Sequence, residues 1–335
     1  MAEKKLEITK KLEEFALDGT LDSIIAILNL PSPNYCEKRA EKVYVNRRLQ
    51  QACLGCVTQG IKSRGNLGIK EIKRIIDFFA EQHGTRFITI NGRGDPFNPK
   101  LKGDNLEKIR YARQQHNIQP YVFTAGNNLD ERTCQFLAAN ETNVMISLFG
   151  NSFIDADFFK RKEYPNAPKP LQNQAEIAKN LRGLIQVYRE HPNQPKEGTT
   201  RIGMNYVVSE RDLEEGGAKL MALKQAANEN GIFFVCNTNF QKHHSTSIQE
   251  LFEKIAYEYS DFHLRHSNSV DGRCQMGAGS SATIDYDGML LRCPYMGSEQ
   301  GNGRFQYLTA EEIRKVLKKY MEDRSYPCVM RKHQK

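Results

Sequence analysis

The stretch Val43-Tyr-Val-Asn-Arg-Arg-Leu-Gln-Gln-Ala-Cys-Leu-Gly-Cys56 decides how the chain is interpreted. Its apolar start predicts a short strand, and the polar loop that follows carries Cys53 and Cys56 with two residues between them. Two thiolates at that spacing suit one metal centre or cluster, and they equally suit a redox dithiol. The pair alone leaves both chemistries open.

From Val43 onward, apolar strands alternate with amphipathic helices. Apolar residues recur at helical spacing over 69–82, whereas buried strands are indicated at 86–91, 120–124, 143–148, 200–208 and 231–237. Six successive β-α units predict a parallel sheet, either a partial barrel or a doubly wound sheet. In both arrangements the functional loops lie at the carboxyl ends of the strands. We therefore expect the cysteine loop and the turn Gly92-Arg-Gly-Asp-Pro96, which follow the first and second strands, to be neighbours.

The two ends of the chain differ from this alternating region. Residues 1–41 predict a helical extension, with one helix near the start and a second over Leu21–Leu30. Residues 267–335 predict a small α+β unit, with a β-hairpin around Asp287-Gly288 and a helix over Thr309–Asp323. The expected domains are therefore 1–41, 42–266 and 267–335.

The composition narrows the class of protein. The chain has 335 residues, a net charge of +8 and eight cysteines. It has no apolar run of about eighteen residues and no apolar signal-peptide core at the N-terminus, so we expect a cytoplasmic protein without a membrane span. In that compartment the cysteines indicate metal, clusters or buried thiols rather than disulfides. The charge suits either an anionic partner or a solvated surface, and nucleic acid is disfavoured because no aromatic residues interleave the basic runs.

These residues together resemble the radical S-adenosylmethionine (SAM) superfamily, in the branch with a C-terminal auxiliary iron–sulfur domain of the twitch or SPASM type. Cys53-Leu-Gly-Cys56 resembles the last two cysteines of the family's Cys-x3-Cys-x2-Cys motif, and Gly92–Pro96 resembles its Gly-Gly-Glu-Pro motif. Cys274, thirteen residues, Gly288, four residues and Cys293 match the opening of the auxiliary cluster signature. The resemblance covers residues 42–335.

The resemblance implies an α/β fold: a partial (β/α)6 TIM-like barrel with the N-terminal helical extension and a small C-terminal α+β auxiliary cluster domain. It implies two 4Fe-4S clusters, one SAM-binding and one auxiliary, and an electron donor such as flavodoxin or ferredoxin. In this family the SAM-binding cluster donates one electron to SAM, and the resulting 5′-deoxyadenosyl radical takes a hydrogen atom from the substrate. The protein supplies position and exclusion of water.

One position departs from the family motif. The motif would place its first cysteine at position 49, where this chain has Leu49. Three thiolates leave one iron free to bind the SAM amino and carboxylate groups, so two thiolates would need a further ligand. Cys36 is the nearest candidate, but if Val43–Val45 is the first strand, Cys36 lies before it at the opposite end of the barrel. Alternatively, position 49 carries an altered residue, or the chain has lost the reaction.

The resemblance and the strand-end positions together define candidate SAM-binding residues. Glycines let the backbone approach a ligand closely, and a carboxylate can accept from the SAM ammonium group. Polar side chains at strand ends suit the SAM carboxylate or ribose. The candidates are Gly92, Arg93, Gly94, Asp95, Pro96, Thr124, Ser147 and Asn205. An ordinary strand-to-helix turn and solvated strand-end residues are the competing interpretations.

Five cysteines are the candidate metal ligands. They are Cys53 and Cys56 for the SAM-binding cluster, and Cys274, Cys293 and Cys328 for the auxiliary cluster. A zinc site uses the same ligand types and is the competing interpretation of the second set. The fourth auxiliary position is either open or filled by Cys236, whereas Cys134 is expected in the core.

We therefore expect a radical SAM enzyme that acts on a peptide or a small molecule, such as a natural-product precursor or, second, a nucleotide-derived compound. The Phe-rich stretch 150–172 is a candidate cover for the substrate. The alternative is a catalytically silent member of the fold that keeps only a C-terminal metal or Fe–S site and acts in binding. Leu49 supports that alternative, and the turn Gly92–Pro96 argues against it.

Overall fold

The structure is a computed structural model, and it describes residues 4–33, 42–45, 48–51, 67–91, 94–149, 156–162, 169–208, 217–238, 264–265, 280–294 and 296–323. The strands of these residues are β1 (Lys5–Leu6), β2 (Ile27–Asn29), β3 (Lys42–Val45), β4 (Arg48–Gln51), β5 (Phe87–Ile90), β6 (Gln119–Thr124), β7 (Asn143–Phe149), β8 (Thr199–Thr200), β9 (Ile202–Val208), β10 (Phe233–Thr238), β11 (Leu264–Arg265), β12 (Ser281–Ile284) and β13 (Leu290–Leu291). The α-helices are α1 (Glu7–Leu17), α2 (Ile69–His83), α3 (Lys102–His116), α4 (Glu131–Ala139), α5 (Lys169–Glu190), α6 (Ala218–Glu229) and α7 (Ala310–Glu322).

The helices follow the predicted periodicity closely. On α2, one stripe of apolar residues that includes Ile72, Ile76 and Phe79 is buried, and Gly84 ends the helix in the left-handed conformation with φ of 61°. On α7, the Thr309 hydroxyl accepts from the Glu312 N–H at 3.2 Å as part of a capping box. The helices predicted over 69–82 and 309–323 are thus confirmed.

Nine strands form one sheet in the order β11-β10-β9-β7-β6-β5-β2-β12-β13. Every neighbouring pair in it runs parallel except β12 and β13, which form the antiparallel hairpin predicted around Asp287-Gly288. Helices join most of the parallel strands, so the carboxyl ends of these strands meet at one edge. The predicted α/β fold class, a partial TIM-like barrel, is confirmed.

The first strand of this sheet is β2, which pairs with β5 on one side and with β12 on the other. The helix predicted over Leu21–Leu30 is wrong, because only a short 3-10 turn over Thr20–Asp22 precedes the strand. The physical reason is burial on both faces of the strand. Leu28 is 1% exposed and Asn29, on the opposite face, is fully buried, and a run buried on both faces carries no period that separates strand from helix.

β3 and β4 form a separate antiparallel hairpin outside the large sheet. Lys42 lies opposite Gln51, and Tyr44 lies opposite Leu49. The prediction that Val43–Val45 is the first strand of the large sheet is therefore wrong, although a strand is present there. Leu49 lies within a paired strand of this hairpin.

The amino-terminal end of the barrel is closed by α1 and the strand before it. Leu6 and Ile8 are buried against Phe87, Met145 and Phe233 on the inner face of the sheet. The ion pair between the Glu7 carboxylate and the Arg201 guanidinium, at 2.6 Å, is also buried here. The first predicted helix is thus confirmed. Leu6 and Ile8, at the start of this helix, cover the amino-terminal end of the barrel interior.

The C-terminal elements continue the same fold. β12 pairs with β2, and α7 packs on α2 in one hydrophobic cluster that includes Phe79, Ile313 and Leu317. The large sheet therefore includes β2 from the expected segment 1–41 and β12 from the expected segment 267–335. The division into three domains stays a prediction. Among the described residues, we find no helix with the length and apolar character needed to cross a membrane.

Candidate functional site

Asp95 fixes the turn after β5 to the end of β6. Its side chain is buried, and its carboxylate accepts from the Thr124 hydroxyl at 2.9 Å, the Ala125 N–H at 2.6 Å and the Phe97 N–H at 2.9 Å. These contacts engage both oxygens of the carboxylate that the sequence assigned to the SAM ammonium group. Through these contacts Asp95 and Thr124 connect the turn to the end of β6, and their assignment to SAM binding stays a prediction.

Asn105 on α3 joins the loops that follow β2 and β5. Its Nδ2 donates to the Ser32 hydroxyl at 2.9 Å and to the Pro96 carbonyl at 2.9 Å. All of Asn105 except 1% is buried, so losing either acceptor would leave a costly unpaired donor. The loop after the first strand of the sheet is thus held beside the Gly-Arg-Gly-Asp-Pro turn. No local sequence signal indicated this residue.

Polar side chains line the inner face of the barrel near its carboxyl edge. Ser147 on β7 lies opposite Asn205 on β9. Asn91 follows β5 and, by strand alternation, lies on the same face as Thr89, whose hydroxyl donates to the Asn29 side chain. Asn91 is buried, and its Oδ1 has no hydrogen-bond partner among the described residues. A buried amide oxygen needs a donor, so this face suits a ligand that carries an N–H or ammonium group.

Lys108 places a buried positive charge one helical turn beyond Asn105. Its Nζ donates to the Asn105 Oδ1 at 2.9 Å. Burial lowers the pKa of Lys108 from 10.5 to about 8, and the Asp104 carboxylate opposes part of that change. A cation therefore lies beside the joint between the two loops. Neither Lys108 nor Asn91 was singled out from the sequence, because nothing in the local pattern distinguishes them from ordinary surface residues.

Three cysteines lie among the described residues. Cys293 follows β13 and is buried in a small cluster with Leu291 and Met296. Cys134 is in the core, as expected, and burial raises the pKa of its thiol to about 12. Cys236 packs in the same large hydrophobic cluster as Cys134. Both thiols thus lie in the core, and the assignment of Cys236 to the auxiliary cluster stays a prediction.

Several predicted site residues lie outside the described part of the chain. They are Gly92, Arg93, Cys36, Cys53, Cys56, Cys274 and Cys328, and most of the stretch 150–172 is also outside it. Of the predicted site residues, the structure describes Gly94, Asp95, Pro96, Thr124, Ser147, Asn205 and Cys293. Within the described residues, no group of three or more His, Cys, Asp or Glu side chains could hold a metal ion.

The donor set of the chain fits the implied cofactors. Thiolates are the ligands that iron–sulfur clusters take, and the cysteine pair Cys53 and Cys56 begins two residues after the end of β4. The Asn91 Oδ1, which accepts from no donor in the described part of the chain, suits an amino group of SAM. The polar pair Ser147 and Asn205 lies on the inner face of the barrel, where it could reach the hydroxyls of a nucleoside.

No protein-family model and no curated protein matches the chain. Solved structures match nearly all of it. One is native anSMEcpe with bound AdoMet and Kp18Cys peptide, with a TM-score of 0.57, 13% identity, and coverage of 90% of this chain and 84% of that one. Another is native anSMEcpe with bound AdoMet and Cp18Cys peptide, with a TM-score of 0.56, 13% identity, and coverage of 91% and 85%. At this level of identity the likeness establishes a shared fold.

Proposed function

We propose that this chain is a radical SAM enzyme that cleaves SAM reductively and takes a hydrogen atom from its substrate. One observation carries the proposal. Asn105 holds the loop after β2 against the Gly-Arg-Gly-Asp-Pro turn, at the carboxyl edge of a sheet with the fold of AdoMet-bound structures. The carboxyl edge is where parallel barrels bind their ligands.

The residues of this edge have distinct proposed roles. Cys53 and Cys56 hold the SAM-binding cluster, which, when bound, supplies the electron that cleaves SAM. The turn Gly92–Pro96 binds SAM through its backbone, with Asp95 and Thr124 holding the turn in place. Ser147 and Asn205 contact the SAM carboxylate or ribose, and Asn91 accepts from an N–H group of SAM.

A second cluster is proposed in the C-terminal segment 267–335. Cys274, Cys293 and Cys328 are its ligands, and it transfers an electron or anchors the substrate. The support comes from the spacing of Cys274, Gly288 and Cys293 and from the hairpin between β12 and β13. Gly288 has a φ of 85°, as the turn of that hairpin requires.

A peptide is the proposed substrate, and small natural-product precursors or nucleotide-derived compounds come second. Two solved structures with the same fold hold peptides together with AdoMet, which favours the peptide. A flavodoxin or ferredoxin is the proposed electron donor, and the cytoplasm is the proposed compartment.

The alternative, a catalytically silent member of the fold, loses its main support. That support was Leu49 in place of a cysteine. Leu49 lies opposite Tyr44 inside the β3–β4 hairpin. We infer that a residue in a paired strand lies outside the ligand loop, so a leucine at this position does not argue against a cluster.

The direct test is the formation of 5′-deoxyadenosine. The protein is reconstituted anaerobically with iron and sulfide, then incubated with SAM and dithionite, and the products are quantified by chromatography. We expect 5′-deoxyadenosine and methionine in equal amounts. The matched control is the Cys53→Ala/Cys56→Ala variant, which should form neither product above the level seen without dithionite. Equal levels in the two proteins would exclude the proposed reaction.

A further inference from the structure

The position of β2 in the sheet changes the end of the barrel at which we expect Cys36. β2 is the first strand of the large sheet and runs parallel to β5. Its carboxyl end at Asn29 therefore lies at the same edge as the turn after β5. Cys36 follows seven residues after Asn29. The expectation that Cys36 precedes the first strand, at the opposite end of the barrel, rested on the wrong strand assignment.

The Asn105 joint limits how far Cys36 can lie from the SAM-binding turn. Ser32 is bound to Asn105, which also binds the Pro96 carbonyl. Cys36 is four residues beyond Ser32, and four extended residues span at most about 14 Å. Chain length alone therefore bounds the distance of Cys36 from Ser32, the residue that Asn105 joins to the Pro96 carbonyl.

The β3–β4 hairpin shortens the apparent distance between Cys36 and Cys53. Sixteen residues separate the two cysteines, but Lys42 and Gln51 are register partners. Antiparallel partners have Cα atoms about 5 Å apart. The first and last of the ten residues 42–51 are therefore neighbours in space. Apart from residues 42–51, only residues 37–41 and Ala52 separate Cys36 from Cys53 in the sequence. The hairpin has the form of an insertion between the first and second cysteines of the motif.

The other cysteines are accounted for. Cys134 and Cys236 are buried in the hydrophobic core, at most 1% exposed. The C-terminal three belong to the proposed auxiliary site. Cys36 is the one cysteine of the eight that remains without a role.

We propose that Cys36 supplies the third thiolate of the SAM-binding cluster, in an expanded motif Cys36-x16-Cys53-x2-Cys56. The inference rests on the proposed function, since it assumes that the Cys53 and Cys56 pair holds a SAM-binding cluster. Three thiolates leave the fourth iron open for the amino and carboxylate groups of SAM, so the chain has a complete ligand set despite Leu49.

The test compares single cysteine variants by iron and sulfide content and by the EPR spectrum after dithionite reduction, with and without SAM. Wild type should hold about eight irons and give a signal that SAM changes. Cys36→Ala and Cys53→Ala should each fall to about four irons, with a residual signal that SAM does not change. The control Cys134→Ala should match wild type, and thermal unfolding should show that all variants are folded.

The outcomes separate the two proposals. If Cys53→Ala loses the SAM-sensitive signal while Cys36→Ala keeps it, Cys36 is not the ligand and the proposed function stands. If SAM leaves the wild-type spectrum unchanged, the proposed function fails and this inference fails with it.

A second set of variants tests the insertion itself. Replacing residues 42–51 with Gly-Gly removes Leu49 and keeps all three cysteines, so the SAM-sensitive signal should persist. Adding Leu49→Cys to Cys36→Ala should not restore that signal. Loss of the signal in the shortened chain, or its recovery in the double variant, would overturn the expanded motif.

Discussion

The buried cations at the two ends of the barrel have different hydrogen-bond partners. At the amino end, the Arg201 guanidinium faces two carboxylates, Glu7 at 2.6 Å and Glu141 at 3.3 Å. At the carboxyl end, the described hydrogen bond of Lys108 goes to the neutral amide of Asn105. The buried arginine at the amino end is thus paired directly with carboxylates, whereas the described direct partner of Lys108 is neutral and the Asp104 carboxylate acts on it only through space. This contrast fits the proposal that the carboxyl end binds the ligand, while the paired charges of the amino end stabilise the fold.

The amino end should be the more sensitive of the two to the loss of one charge. Glu7→Ala leaves the buried Arg201 without its closest carboxylate, so the free energy of unfolding should fall by about 3–5 kcal/mol. Glu13→Ala is the matched control, because the pair of Glu13 with Lys5 is exposed and contributes under about 1 kcal/mol. Chemical denaturation measures both. Equal losses in the two variants would mean that the Glu7 pair is not a buried anchor.

Lys108 should give the carboxyl end a distinct pH dependence. Its pKa is about 8 in the folded chain against 10.5 for a free lysine, so the unfolded chain binds more protons between these two values. Wild type should therefore gain stability as pH rises from 8 to 10.5, by up to about 3 kcal/mol relative to Lys108→Met.

Denaturation of both proteins at pH 7.5 and pH 10 measures this change. The control is Lys318→Met, whose side chain is 73% exposed, and its difference from wild type should be the same at both pH values. A pH-independent difference for Lys108→Met would show that the amine is not buried as a cation.

Asp95 should couple stability to SAM binding. Asp95→Ala leaves the Thr124, Ala125 and Phe97 donors without their acceptor, which should cost about 1–3 kcal/mol and weaken SAM binding at least tenfold by loosening the turn. Asp130 is the matched control, because it caps α4 through the Thr133 N–H and pairs with Lys102 at the start of α3. Asp130→Ala should cost about 1 kcal/mol and leave SAM affinity unchanged. Equilibrium dialysis with labelled SAM tests both.

The smallest expected effects lie on a single strand, β7. Ser147→Ala, near the carboxyl edge, should weaken SAM binding about fivefold with little change in stability. Asn143→Ala, at the amino end of the same strand, should lower stability by about 1 kcal/mol, since the Asn143 Oδ1 accepts from the Ile8 N–H. Its SAM affinity should equal that of wild type. If both variants lose SAM affinity alike, the two ends do not divide stability from binding.

The sequence predicted the parts of the fold that local pattern controls. The stripe of α2, the capping box of α7 and the Asp-Gly turn before β13 are all local signals, and each was confirmed. β2 was missed because a strand buried on both faces shows no alternation. Its pairing with β12 joins residues some 250 positions apart, which no local signal encodes.

The candidate site was predicted less completely for a related physical reason. Strand-end positions identified Ser147 and Asn205, because alternation and edge position follow from the strand itself. Asn105 and Asp95 act through partners on other loops, and such partners are visible only once the loops are packed together. The strand misassignment at Val43 was also the ground for expecting Cys36 at the opposite end of the barrel.

One measurement tests the central claim most directly: the EPR spectrum of the reduced, reconstituted wild-type protein, recorded with and without SAM. A radical SAM enzyme with the ligands Cys36, Cys53 and Cys56 should give a 4Fe-4S signal whose g values shift when SAM binds the open iron. Identical spectra in the two samples would contradict a SAM-binding cluster at the carboxyl edge of this barrel.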